Sequence, residues 1–307
     1  MQKIPLEKTI GAAYRFFFSN FLSILGTVWF PLLLSLAIIG AMVYAILPAS
    51  LLHGDLRHLD PAEVTALVPL ILAINPLIVL ISIVLTAMIS VGLMQRALGM
   101  THGPTFFYFS LGAPVWRMAG ARILFSLAAV VFVVVVVLLC VAIVAASRAL
   151  NSNLIAGLID TVAVVGAFCA IIYSITRLYF FLPAVVVAEE RISFSRAWAL
   201  GRGNFWRIVL IALMIVIPVG FVSGMIFSII TMGSLASIIA QAPHDHPSPE
   251  ETVRFVSMFM SSLLPAIIVY VAIQNLALYG LWFGAVGSAY RAMVPASPPM
   301  ADGSGAA

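Results

Sequence analysis

Six long apolar runs, at roughly residues 21–47, 67–94, 123–146, 154–176, 208–236 and 255–287, constrain this chain more than any other feature. As a helix rising about 1.5 Å per residue, each reaches across about 30 Å of hydrocarbon. A water-soluble fold is excluded by what lies between the runs. The chain is 63% hydrophobic and 8% charged, with a mean hydropathy of +1.17, against about half and a quarter in soluble domains. There is too little polar surface to cover so much apolar mass, so lipid is the solvent. The runs are continuous rather than alternating, which argues against a barrel. Val133–Val137 is β-branched, but in lipid a helix satisfies its own backbone and an open strand does not. The expected fold is all-α: a polytopic transmembrane helical bundle of six spans, one integral membrane domain over 1–293, with a disordered cytoplasmic tail at 294–307. Pro31, Pro76, Pro218 and Pro265 fall mid-span, where membrane helices tolerate them. The first run is too long for a signal-peptide core and reads as an anchor that stays.

Orientation follows from the cations. With the N-terminus inside, twelve of the 15 Lys and Arg residues fall on the inner side and three on the outer, Arg57, Arg148 and Arg254. That asymmetry is the positive-inside pattern. It predicts a multi-pass protein of a bacterial inner membrane with both termini cytoplasmic. The basic residues are spread one or two per segment, so the net charge of +4 follows topology and does not point to nucleic acid. Cys140 and Cys169 lie inside apolar runs and behave as small hydrophobes rather than a disulfide.

A threefold repeat is suggested by short aromatic and basic stretches before each pair of spans, at roughly 5–20, 103–121 and 189–207. A shift of 184 places Ala13 on Ala197, Tyr14 on Trp198, Asn20 on Asn204 and Phe21 on Phe205. A shift of 90 places Trp116-Arg117 on Trp206-Arg207. Each pair ends in an arginine: Arg96, Arg177 and Arg291. The unit would be an interfacial helix plus a helical hairpin; chance matching between apolar segments is the alternative.

The interfacial stretches carry the candidate lipid headgroup contacts: Arg191, Arg196, Trp198, Arg202, Trp206 and Arg207, with Trp116 and Arg117. Trp settles at headgroup level and arginine attracts anionic lipid there; ordinary anchoring between spans is the competing reading. A second candidate set is polar groups within the spans. Asp160 and Asn75 lie at similar depth near the outer side, and an intramembrane acid is by default a functional hypothesis. Asp160 either belongs to a polar site or reaches outer water or Arg148. Near the inner side, Arg177 either snorkels or pairs with Glu189 or Glu190, while Gln274 and Asn275 suit hydrogen bonds between helices. Gly220-x-x-x-Gly224 and Gly280-x-x-x-Gly284 allow close helix approach, within the chain or in a dimer. His53, His58, His244 and His246 lie in outer loops near acids, in no established metal-ligand spacing. No H-E-x-x-H, P-loop or G-x-S-x-G motif occurs, and no cofactor is implied.

Residues 177–218, RLYFFLPAVVVAEERISFSRAWALGRGNFWRIVLIALMIVIP, combine an arginine, a nearby proline, a VVV-x-E run, a small-residue and Trp helix, and GNFWR before an apolar helix. This stretch resembles the membrane domain of glycerophosphoryl diester phosphodiesterases and the related YciC-like families of bacterial inner-membrane proteins. AYRFFFSNFLSILG near the N-terminus is similar to how such proteins begin. The resemblance implies a helical inner-membrane fold without the soluble catalytic barrel, since no loop here is long enough to hold one. The expected function is therefore a non-enzymatic integral membrane protein that interacts with lipid, anionic lipid included, and organises or scaffolds the membrane, as a homo-oligomer or with a membrane-protein partner. The alternative is a transporter or permease for a small or amphiphilic solute, with Asp160 and Asn75 in its site.

Overall fold

The computed structural model describes residues 3–46, 61–101, 103, 106–148, 153–240 and 249–294, and among these there is no strand. Eight helices follow in order: α1 Leu6–Ser19, α2 Phe21–Ile46, α3 Pro61–Ala97, α4 Ala113–Ser147, α5 Asn153–Ala188, α6 Phe194–Gly201, α7 Phe205–Ala240 and α8 Pro249–Met293. Six of them, α2 to α5, α7 and α8, are long and apolar enough to cross a membrane. The helices run through Pro31, Pro76, Pro183 and Pro218. Hydroxyls within the spans bond to the carbonyl four residues back, as Thr27 does to Ser23 (2.8 Å), Ser223 to Val219 (2.7 Å) and Thr231 to Phe227 (2.8 Å). A polar side chain is thereby satisfied inside its own helix, where lipid offers no partner.

The spans pack as the hairpins α2–α3, α4–α5 and α7–α8. Their main core cluster lies at the arginine-rich end: Ile24, Met88, Met94, Met118, Phe180, Ile208, Ile215 and Val286 are all buried. Toward the opposite end the same helices expose Leu72, Leu138, Val162 and Ile229. In water such surface would be unstable, but acyl chains solvate it without cost.

The repeat has a geometric counterpart. The amide of Ile24 bonds to the carbonyl of Asn20 (2.8 Å), and that of Ile208 to Asn204 (2.9 Å). Both isoleucines are fully buried, as are Ala13 and Ala197. Each interfacial element also packs on the last helix of the preceding pair, taken cyclically. α1 lies on α8, where a Cβ at Gly284 would stand 3.2 Å from Ala13 Cα, and Tyr108 covers Gly92 of α3. α6 lies on α5, where a Cβ at Gly201 would stand 2.8 Å from the Arg177 carbonyl oxygen. The middle unit departs from the expected pattern, because residues 106–112 form no helix. Gly103 sits at φ +94°, Gly112 is extended, and Pro114 opens α4, a combination that ends one element and starts the next. Trp116 and Arg117 thus belong to the first turns of a spanning helix.

Candidate functional site at the basic end

The corner between α5 and α6 is built around two adjacent acids. Glu189 accepts hydrogen bonds from Arg191 (2.8 and 3.1 Å), Arg196 (2.9 Å) and the Tyr290 hydroxyl of α8 (3.2 Å). Burial by itself pushes its carboxyl up, but the bonds from Arg196 and Arg191 outweigh burial and hold it below the usual carboxylate range. Glu190 adopts a left-handed backbone, φ +51°, which costs a non-glycine residue about 1 kcal/mol. Arg117 clasps it there, donating from Nη1 to its carbonyl (2.8 Å) and its carboxylate (3.2 Å). Ser193 then caps α6 by accepting from the Arg196 amide (3.3 Å).

Arg177 does not snorkel, and among the described residues it pairs with no acid. It is buried, with its guanidinium 4.0 Å from the Trp198 ring centroid. It donates to the Tyr173 hydroxyl (2.8 Å) and the Trp198 carbonyl (3.2 Å). Lying between an aromatic face and a carbonyl, the cation needs no carboxylate. At the next turn Asn204, also buried, accepts from the Ile4 amide (3.0 Å), while Arg207 donates to the Ile4 carbonyl. The start of α1 is thereby tied to the start of α7.

Of the eight expected headgroup contacts, Arg117, Arg191, Arg196 and Arg207 are therefore engaged within the protein, and Trp198 is half covered by Arg177. Trp116 and Trp206 remain 56% and 73% exposed, and Arg202 is exposed. Sequence spacing located the cations but not the acids and carbonyls that the fold delivers to them. A feature not singled out from sequence is an open groove of about 520 Å³ beside α1, lined by Lys8, Gly11, Ala12, Arg15, Phe16, Ser19, Asn20 and Arg291. The available signal was helical spacing, since Lys8, Ala12, Arg15 and Ser19 share one face.

The polar groups within the spans are not gathered into one site. Asp160 accepts from Ser147 Oγ (2.5 Å), which joins α4 to α5, and Arg148 is exposed beside them. Asn75 is exposed on α3, and no hydrogen bond links it to Asp160 among the described residues. Asn275 bonds to the Val271 carbonyl of its own helix (2.8 Å) rather than to a neighbour. Arg122 lies within α4 and donates to Ser90 of α3 (2.6 Å). The glycine patterns divide. Gly280 and Gly284 abut Phe17 and Phe16 of α1, whereas a Cβ at Gly220 or Gly224 would meet nothing within 4 Å. Among the described residues no three His, Cys, Asp or Glu side chains come together as a metal site. The histidines of the outer loops and the tail from 295 onward lie outside those residues.

Six apolar spans paired as hairpins, with their packed core and aromatic and arginine side chains at one end, define a multi-pass α-helical membrane protein. No family model matches the chain, and neither a curated protein nor a solved structure is significantly similar to it.

Proposed function

We propose that this chain is a non-enzymatic integral protein of a bacterial inner membrane, with both termini cytoplasmic, that binds and organises lipid at its cytoplasmic face. One observation carries this reading. Trp116, Trp206 and Arg202 stay exposed at the ends of spans that otherwise converge on a packed core. Indole rings and guanidinium groups at that level suit the boundary between headgroups and acyl chains. The twelve-to-three distribution of Lys and Arg supports the orientation. In this proposal the chain corresponds to the membrane part of the glycerophosphoryl diester phosphodiesterase and YciC-like families, on the resemblance of residues 177–218. The transport reading draws no comparable support, because Asp160 is engaged by Ser147 and Asn75 stands apart.

The test is native mass spectrometry of the full chain released from nanodiscs. Trp116→Ala, Trp206→Ala and Arg202→Gln together should reduce co-released phosphatidylglycerol while thermal stability is kept. Retention of wild-type lipid by that variant would remove the basis of the proposal.

A further inference from the structure

The three arginines that close the repeated units have unequal surroundings. Arg96 donates to the Gly103 carbonyl (2.7 Å) and Arg177 to the Trp198 carbonyl (3.2 Å). In each case the acceptor belongs to the interfacial element that follows. Cyclic order brings Arg291 to the equivalent element, α1, but no carbonyl meets it. It lines the groove with Lys8 and Arg15 instead, and none of the three side chains makes an ion pair or hydrogen bond among the described residues. Three cations around one concavity repel each other unless an anion sits between them. Glu7, the one acid of α1, is exposed and does not line the groove. Ser19 and Asn20 donate to the Arg15 carbonyl (2.6 Å) and the Phe16 carbonyl (3.1 Å), so recognition falls to the cations.

The groove also has a direction. It runs from Lys8 at the start of α1 to Ser19 and Asn20 at its end, where Phe18 and Leu22 are 70% and 64% exposed. Cations line it from Lys8 to Arg15, and beyond Ser19 and Asn20 it continues onto apolar surface, so the shape fits an amphiphile better than a free ion. Small residues, Gly11 and Ala12, form the floor between Lys8 and Arg15, and a Cβ at Gly11 would meet nothing within 4 Å.

We infer that Lys8, Arg15 and Arg291 form a dedicated site for the phosphate of an anionic phospholipid, whose acyl chains descend past Phe18 and Leu22. This rests on the lipid-binding reading above and narrows it to one position and one headgroup chemistry. The site is separate from the exposed tryptophans, which anchor without selecting charge.

The experiment uses the full chain in detergent, titrated with dioleoyl phosphatidylglycerol or dioleoyl phosphatidylcholine and read by native mass spectrometry. The wild type should retain the anionic lipid preferentially. Lys8→Gln, Arg15→Gln and Arg291→Gln combined should weaken that retention at least about tenfold, given that each surface cation favours anionic lipid several-fold. Gly11→Leu should also weaken it by filling the floor without changing charge or disturbing the helix. The charge-conserving Lys8→Arg, Arg15→Lys and Arg291→Lys should restore it, which a merely structural role would not predict. Millimolar inorganic phosphate should not displace the lipid; displacement would assign the groove to a soluble phosphate and overturn the lipid source. Wild-type retention by both the glutamine variant and Gly11→Leu would overturn the site while leaving the wider lipid reading intact. No preference for phosphatidylglycerol in the wild type would end the headgroup assignment, while retention of either lipid that still depended on Trp116 and Trp206 would preserve the wider reading.

Discussion

The contact of Gly201 with α5 yields a prediction that can be worked through from distances. In Gly201→Ala the new methyl would lie 2.6 Å from Arg177 Cγ and 2.8 Å from the Arg177 carbonyl oxygen. Neither atom is the free tip of a side chain, and the oxygen belongs to a packed helix, so α6 must lift away from α5. Overpacking of this kind costs about 1–3 kcal/mol. Lifting also weakens the stacking of Arg177 on Trp198 and its bond to the Trp198 carbonyl, together about 1–2 kcal/mol. Against this, alanine gains up to about 1 kcal/mol over glycine in a helix. The net expectation is a loss of about 2–3 kcal/mol. Gly11→Ala on α1 is the matched control, because its Cβ meets nothing within 4 Å, and it should be neutral or slightly stabilising. Thermal unfolding in detergent, followed by tryptophan fluorescence, reads both. If Gly201→Ala melts with the wild type while the Trp198 environment is unchanged, the close packing of α6 on α5 is wrong.

The Glu189 corner predicts a pH signature. Its folded carboxyl titrates below the ordinary value, so its stabilising effect is present above the unfolded pKa and is lost as pH falls through the folded one. Glu189→Gln should therefore cost about 1–2 kcal/mol at neutral pH, with the gap closing in acid; a gap independent of pH in chemical denaturation would contradict this. Gly284→Val drives a larger side chain toward Phe16 Cδ1 (2.9 Å) and Ala13 Cα (3.2 Å). It should cost about 2 kcal/mol or more and detach α1, seen as faster tryptic cleavage at Arg15 than in the wild type.

Much of the fold was legible because lipid imposes a simple rule: continuous apolar length becomes a helix. The described boundaries bear this out, although α3 and α5 extend several residues past their apolar runs, as Pro61–Ala97 and Asn153–Ala188. Those extensions contain the buried Ala97 and Phe180–Val187, where the chain leaves lipid contact for protein contact and hydropathy alone loses its meaning. The site was less legible. An arginine reads as a headgroup ligand until the fold supplies Glu189, Glu190 or the Ile4 carbonyl, and those arrive from turns and from residues as many as 203 positions away. The groove cations were visible as residues, but their lack of partners depends on α8 reaching α1, which no local pattern encodes.

The central claim is that the packed, aromatic and cationic end of the bundle sits at the headgroups while the exposed halves of the spans lie in hydrocarbon. Electron paramagnetic resonance depth measurement tests it directly, using nitroxides placed singly at Trp116, Trp206, Val135 and Val165 in bilayers. The account predicts headgroup depth for the first two and deep hydrocarbon for the last two. Bulk-water exposure at Val135 or Val165, or midplane burial of Trp116 and Trp206, would contradict it.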